Sequence, residues 1–369
     1  MTGTSAGPRR ACRSVPAPPD WKRSSMYFDR DANPQDIEGE RVAVIGYGIQ
    51  GKAFAVNLRD SGVAVLVGNR DDEYRKAAIE DGFDTRTIAD AVADASIILL
   101  LVPDEAHQEV YHSQISPHLD DGDLLVFAHG FSVRFARIAL PPNVDVALLA
   151  PKMFGKPIRQ RYLDGSGVLA FLDVIADPSG RTLRRSLAIA QAVGFTRYGV
   201  LPVSHAVETE LDLFQEQFLT PMLIDAIRIS FEVLTESGYD PIPVLLDMHA
   251  SGEMAEMLIE AASTGLFEVI EQQGSPTCRF GVQRYLGTLL GEEVRDKGRR
   301  ILADIRDGGF VEALSAEAAA GYPSLAEYQR EYRASGITKA HDRYRSMLDE
   351  RGAATGVADA GEKGAKNAA

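Results

Sequence analysis

Cysteine is almost missing from this 369-residue chain. The only two, Cys12 and Cys278, lie far apart, and Cys12 falls in a stretch without apolar periodicity. Neither a disulfide framework nor a cysteine-ligated metal centre can be assembled from them, which fits a reducing cytoplasm. Positive charge is also short, since 39 Lys and Arg stand against 53 Asp and Glu, a formal net charge of −14. A chain of that sign repels the phosphates of nucleic acid, so no nucleic-acid partner is expected. Long hydrophobic runs are lacking too. The longest, Ile97 to Pro103, is strand-sized and far below the ~18–20 apolar residues of a spanning helix, so no membrane partner is expected either.

What remains is an ordinary globular composition, 45% hydrophobic and 25% charged, with enough length for about two domains of ~100–200 residues. Residues 1–25 carry Arg9, Arg10, Arg13, Lys22 and Arg23 against the single acid Asp20, with no apolar face. A transit peptide would be amphipathic. This piece instead reads as a disordered extension, with Met26 as the natural start. Over 26–202, short apolar runs (Val42 to Ile45, Val63 to Val67, Ile97 to Val102, Leu124 to Phe127, Val144 to Leu149, Val168 to Val174) alternate with helix-length segments. That pattern predicts an α/β domain with a doubly wound parallel sheet buried on both faces. Over 203–348 the period becomes helical, as in Thr220 to Ser237 and Val244 to Ala262. Leu223, Ile227, Phe231 and Leu234 predict a buried stripe. Residues 349–369 read as a disordered tail.

Gly46-Tyr47-Gly48-Ile49-Gln50-Gly51 directly follows the first strand and opens the first helix. In that context Gly46 permits a tight turn, Gly48 lets a pyrophosphate approach the backbone, and Gly51 lets helix and strand pack closely. The helix N-terminus then stabilises the anion. The second strand ends at Gly68 and Asn69, without the acid that commonly takes the ribose hydroxyls. Arg70 offers a guanidinium to a 2′-phosphate, whereas Asp71, Asp72 and Glu73 would repel one. NADPH and NADH both remain open at this point.

The stretch VAVIGYGIQGKAFAVNLRDSG (Val42 to Gly62) closely resembles the start of the ketol-acid reductoisomerases, also called acetohydroxyacid isomeroreductases. Leu101-Val102-Pro103-Asp104-Glu105, Phe127-Ala128-His129-Gly130-Phe131, Ala150-Pro151-Lys152 and ETELDLFQEQ (Glu208 to Gln217) resemble further motifs of that family, in order. The likeness runs from about residue 26 to 348. It implies a magnesium-dependent alkyl shift in a 2-aceto-2-hydroxy acid, then hydride transfer from NADPH or NADH, giving a 2,3-dihydroxy acid of branched-chain amino acid synthesis. It also implies a knotted helical domain and a short-chain homodimer, or higher homo-oligomer, in which two subunits build each site.

Asp212 and Glu216 lie four apart in a helical segment, about 40° of rotation, so both carboxylates face one way. Hard oxygen ligands of this kind suit magnesium. The resemblance implies that Asp212 bridges two magnesium ions and that Glu216 binds one. The family's second acidic pair falls on Asp247 and Glu253. Their i, i+6 spacing is roughly 240° on a regular helix, so a bulge or kink at Ser251-Gly252 is needed to bring them together. His249, four before Glu253, competes with Asp247 for the ligand position, although a carboxylate is the harder donor for magnesium. Glu253 is also the candidate proton relay. Lys152 and His129, each just after a strand end, are candidate catalytic residues near the substrate and the nicotinamide. Ser275, before Pro276-Thr277, resembles the family's substrate-carboxylate serine. Met153-Phe154 and Gln215 are bulkier than the family's usual residues, which points to an altered acyl pocket. Two other functions fit less of the pattern: a simple 2-keto acid reductase without isomerisation, and a silent dinucleotide-binding regulatory protein.

Overall fold

The computed structural model describes residues 25–355, with side chains as far as Asp349. The expected N-terminal extension therefore lies outside the described residues, apart from Ser25. The strands are β1 (Arg41–Ile45), β2 (Ala64–Gly68), β3 (Asp84–Arg86), β4 (Ile97–Leu100), β5 (Leu124–Phe127), β6 (Asp145–Pro151), β7 (Ala170–Ala176) and β8 (Val200–Pro202). They form one sheet in the order β3-β2-β1-β4-β5-β6-β7-β8. Alternate residues face opposite sides of a strand. Val42 and Val44 of β1 accordingly enter one core cluster with Leu99 and Phe54, while Ala43 and Ile45 enter the other with Ile98 and Phe127. The doubly wound architecture follows from that two-sided burial.

The sheet is parallel, as expected, with one exception that the apolar pattern does not predict. β7 runs antiparallel to β6, with Pro151 opposite Ala170, and β8 is parallel to β7. The connection explains the reversal. Helix Gly155–Leu163 packs on α1 (Ile49–Asp60) instead of crossing the sheet, so the chain re-enters at the end it left. Gly155 makes this seat possible, because a Cβ there would lie 1.8 Å from the Ile49 carbonyl oxygen. β7 is correspondingly only partly buried, unlike β4 and β5, as an antiparallel strand can be.

Contacts divide the chain into two compact units. The first runs through Leu213 and includes Ile305–Glu312; the second comprises Phe214–Asp304 and the remainder. The change of pattern near 203 marks where strands end, while helix His205–Phe214 still belongs almost wholly to the first unit. Among the described residues the second unit has no strands. Its helix Thr220–Glu236 buries Phe231 in a small cluster with Val244, Leu245 and Ala340. The expected buried stripe is only half realised, since Leu223 is 44% exposed. The period expected over Val244 to Ala262 is also broken. A π-helical turn, Leu246–Ala250, is followed by Gly252 in the left-handed region (φ +89°) and a new helix, Glu253–Thr264. Helix Gly336–Thr355 carries into the stretch expected to be a tail.

In the first unit Arg185 is fully buried. Its guanidinium donates to the carbonyls of Gly122 (2.9 Å) and Ser96 (2.8 Å), pairs with Asp145 at 3.3 Å, and reaches Glu40. Such a charge is tolerated only because acceptors surround its terminal nitrogens. Arg185→Ala is expected to destabilise the first unit by about 3–5 kcal/mol, because Asp145 stays buried without its counter-charge. A urea titration followed by circular dichroism checks this; an unchanged midpoint would contradict it.

Candidate active site

The strand order reverses between β1 and β4, and the crevice at the C-terminal ends of those strands is where α/β sheets place ligands. Gly46 leaves β1 with φ +96°. A Cβ on Gly51 would fall 1.9 Å from the Gly46 carbonyl oxygen, so only glycine lets α1 begin so close to the turn. The first N–H groups of α1 lack intrahelical acceptors, and among the described residues no side chain caps this end. At Gly48 nothing among the described residues lies within 4 Å of an added Cβ, which leaves room there for a pyrophosphate. The loop thus fits a dinucleotide. Tyr47 is buried and anchors it: its N–H donates to Asn69 Oδ1 (3.0 Å) and its hydroxyl to Asp81 (2.8 Å). Burial, then the Asp81 contact, pushes the Tyr47 hydroxyl pKa far up, so it remains a donor. Gln50 reaches across to the Met153 carbonyl (3.0 Å), and Ile49 and Phe154 are both largely exposed beside it.

Beyond β2, Arg70 is exposed and its Nε donates to Asp72 at 2.7 Å. Asp72 caps helix Glu73–Glu80 by accepting from the N–H groups of Tyr74 and Arg75. Of the acids expected to oppose a 2′-phosphate, Asp72 is therefore committed to its helix, while Asp71 faces solvent.

A cavity of about 230 Å³ opens beside this loop, lined among others by Gln50, Asp104, His129, Lys152, Glu208 and Asp212. Three elements supply the chemistry. β5 delivers His129 and β6 delivers Lys152, as strand-end residues; helix His205–Phe214 presents Glu208 and Asp212 one turn apart. Lys152 Nζ lies 2.5 Å from Asp212 Oδ1 and 3.5 Å from Glu208 Oε1. Glu208 is buried and also accepts the Gly130 N–H at 3.1 Å. His129 Nδ1 lies 2.6 Å from Asp104 Oδ2, and its Nε2, 3.9 Å from Asp212, is buried without a hydrogen-bond partner among the described residues.

Burial alone would disfavour the charged imidazole of His129. The hydrogen bond to Asp104, with the charges of Asp104, Glu208 and Asp212, outweighs it and holds the ring's pKa up at about 9. Burial pushes Glu208 up, against the pull of His129 and Lys152. Ligand atoms of His129, Glu208 and Asp212 all lie within 4.8 Å of one another. Two hard carboxylates in such a group fit a magnesium ion that keeps water or substrate oxygens in its other positions.

The structure thus brings together Asp212, Lys152 and His129, and adds Glu208 and Asp104, to which the sequence pattern assigns no role. Glu208 stands four before Asp212, the same spacing that singles out Glu216, so that signal is readable. Glu216 follows in a π-helical turn, Gln215–Leu219, so the regular 40° relation to Asp212 does not apply. In the second unit, Asp247 and His249 sit in the π-helical turn and Glu253 starts the next helix; all three are exposed. The break between them removes the regular-helix objection to their spacing. Ser275 caps helix Pro276–Tyr285, accepting from the Cys278 N–H at 3.2 Å.

Residues 36–199 match the family model described as acetohydroxy acid isomeroreductase, NADPH-binding domain, and residues 206–350 the one described as ketol-acid reductoisomerase, C-terminal domain. A ketol-acid reductoisomerase (NADP(+)) of Caldivirga maquilingensis is 37% identical over 84% of this chain and 93% of the relative. One of Pyrobaculum aerophilum is 37% identical over 88% and 99%. The solved structure of an NADH-preferring ketol-acid reductoisomerase from an uncultured archean superposes with a TM-score of 0.83, at 31% identity, covering 87% of this chain and 98% of that one.

In the metal-free protein, His129 is expected to titrate near pH 9, and Asp104→Asn to lower that value by about 1–3 pH units, as loss of an adjacent opposite charge does. Histidine nitrogen shifts followed by NMR check this. Because the folded value lies above the ordinary ~6.5, the stabilisation is complete below pH ~6.5 and is lost as the pH rises through about 9.

Proposed function

Because the chain belongs to the ketol-acid reductoisomerase family, we propose that the β4–β6 crevice is the seat of its two-step reaction, the rearrangement and reduction of a 2-aceto-2-hydroxy acid. The observation that carries this reading is the convergence of Asp212, Glu208, Lys152 and His129 in one cavity beside the Gly46–Gly51 loop. With Asp104, the cavity holds three carboxylates against Lys152 and a protonated His129, an excess of negative charge that favours a divalent cation. Magnesium, when bound, supplies Lewis acidity for the alkyl shift, and the reduced nicotinamide supplies the hydride.

The chain's own residues do the rest. Asp212 and Glu208 offer hard oxygen ligands on one helical face. Lys152 places an ammonium donor where negative charge on a substrate oxygen develops. His129 presents Nε2 to the same space. Glu216, Asp247 and Glu253 are assigned as further metal ligands, Glu253 also as proton relay and Ser275 as the contact for the substrate carboxylate; their motif positions support these roles. Gly46, Tyr47, Gly48, Ile49, Gln50 and Gly51 hold the dinucleotide. Arg70 offers a guanidinium to the 2′-phosphate of NADPH and Asp71 a carboxylate to the ribose hydroxyls of NADH, so both cofactors fall within this reading.

We also assign a homodimer or higher homo-oligomer. Leu223, Ile224, Val233, Leu258 and Ile259 are exposed on helices of the second unit, more apolar surface than a monomer ordinarily leaves to water. No helix among the described residues is long and apolar enough to cross a membrane. A cytoplasmic setting belongs to this reading and is supported by the scarcity of cysteine.

The test is to supply purified protein with 2-acetolactate and each cofactor, with and without magnesium, and follow nicotinamide oxidation. Turnover is expected only with magnesium. Asp212→Asn should lower it by roughly 100-fold or more while cofactor affinity stays unchanged. Simultaneous loss of cofactor binding would show that Asp212 is misplaced in this scheme.

A further inference from the structure

We propose that Asp104 is a positioning residue that locks the His129 ring so that Nε2 points into the reaction cavity. The inference rests on the reductoisomerase reading of this site. Asp104 is the first residue of helix Asp104–Val110, directly after Pro103 at the end of the segment that follows β4. Its Oδ2 lies 2.6 Å from His129 Nδ1, a short, charge-assisted contact. An imidazole held at one nitrogen can present only the other. That other nitrogen, Nε2, is buried, has no hydrogen-bond partner among the described residues, and lies 3.9 Å from Asp212 Oδ2.

The neighbours leave Asp104 free for this task. His107, on the same helix, lies 3.8 Å from Asp104 Oδ1, too far for a hydrogen bond. Its own ring is committed elsewhere. The Val102 carbonyl can only accept, so His107 Nε2 (3.0 Å) carries a proton, and Nδ1 is taken by the Ser132 hydroxyl at 2.9 Å. Phe131 packs against His129, with ring centroids 6.0 Å apart, but a ring contact does not choose between the two flipped orientations of an imidazole. Among the described residues, the hydrogen bond that does so is the one to Asp104. An unpartnered buried nitrogen costs free energy, so its orientation has to be imposed by something else, and a group completing the site relieves that cost when it binds.

The experiment uses the full-length protein with magnesium and reduced cofactor and compares wild type, Asp104→Ala, Asp104→Asn, His129→Ala and the double variant Asp104→Ala/His129→Ala. Asp104→Ala should lower kcat for 2-acetolactate by about 10–100-fold, the usual scale for losing a group that orients another, with cofactor Kd and Tm near wild type. Asp104→Asn, whose carbonyl still accepts from Nδ1, should recover most of kcat. In the His129→Ala background, removing Asp104 should cost nothing further, because the residue acts through His129. Asp104→Ser, polar but too short to reach Nδ1, replaces Asp104→Ala if that variant fails to fold. Unchanged kcat in Asp104→Ala, equal losses in the Asn and Ala variants, or additive losses in the double variant would each overturn the proposal. Wild-type protein that turns over no acetohydroxy acid would instead defeat the functional reading beneath it.

Discussion

Uncompensated negative charge at the ends of three parallel strands is the constraint around which the first unit is arranged. Glu208 is almost completely buried, and Asp212 lies one turn further along the same helix. Carboxylates so placed cannot remain ionised without partners, because burial penalises charge by several kcal/mol. Lys152 and His129 are those partners, each delivered from a strand end, and Asp104 in turn holds His129. Three carboxylates, of Asp104, Glu208 and Asp212, thus face two basic side chains in one cavity.

The backbone makes that arrangement possible only at the C-terminal edge of the sheet. β1, β4, β5 and β6 all point their ends the same way, so the Gly46 turn, Asp104, His129 and Lys152 arrive together although they are spread over more than a hundred residues. The Gly155 approach draws helix Gly155–Leu163 against α1, and Gln50 bridges the Gly46–Gly51 loop to Met153, next to Lys152. This hydrogen bond and the close approaches at Gly51 and Gly155 fix the Gly46–Gly51 loop beside the strand end that carries Lys152. In the second unit Leu223, Ile224, Val233, Leu258 and Ile259 are left exposed on its helices.

Much of this is legible in the chain before it folds. The apolar runs locate β1, β2, β4, β5, β6 and β7 to within a few residues, because strands buried on both faces need continuous apolar sequence. β3 and β8, three residues each, escape that reading, since so short a strand has no pattern of its own. The direction of β7 is unreadable because the decisive fact is where helix Gly155–Leu163 packs. In the helical region the pattern locates Thr220–Glu236 correctly but overstates its burial; the break at Gly252 is missed by the hydrophobic period and is readable only from the Ser251-Gly252 pair and the spacing of Asp247 and Glu253.

The residues of the site divide along the same line. The glycine spacing after the first strand singles out the Gly46–Gly51 loop. The likeness to a family's ordered motifs singles out His129, Lys152 and Asp212, of which the first two also stand at strand ends, where parallel sheets carry their sites. What only the folded chain decided is which groups meet: that Glu208 shares Lys152 with Asp212, that Asp72 is committed to a helix cap, and that Asp104 governs the direction of an imidazole. Those are distances between residues far apart in sequence, and no periodicity encodes a distance until packing has brought the elements together.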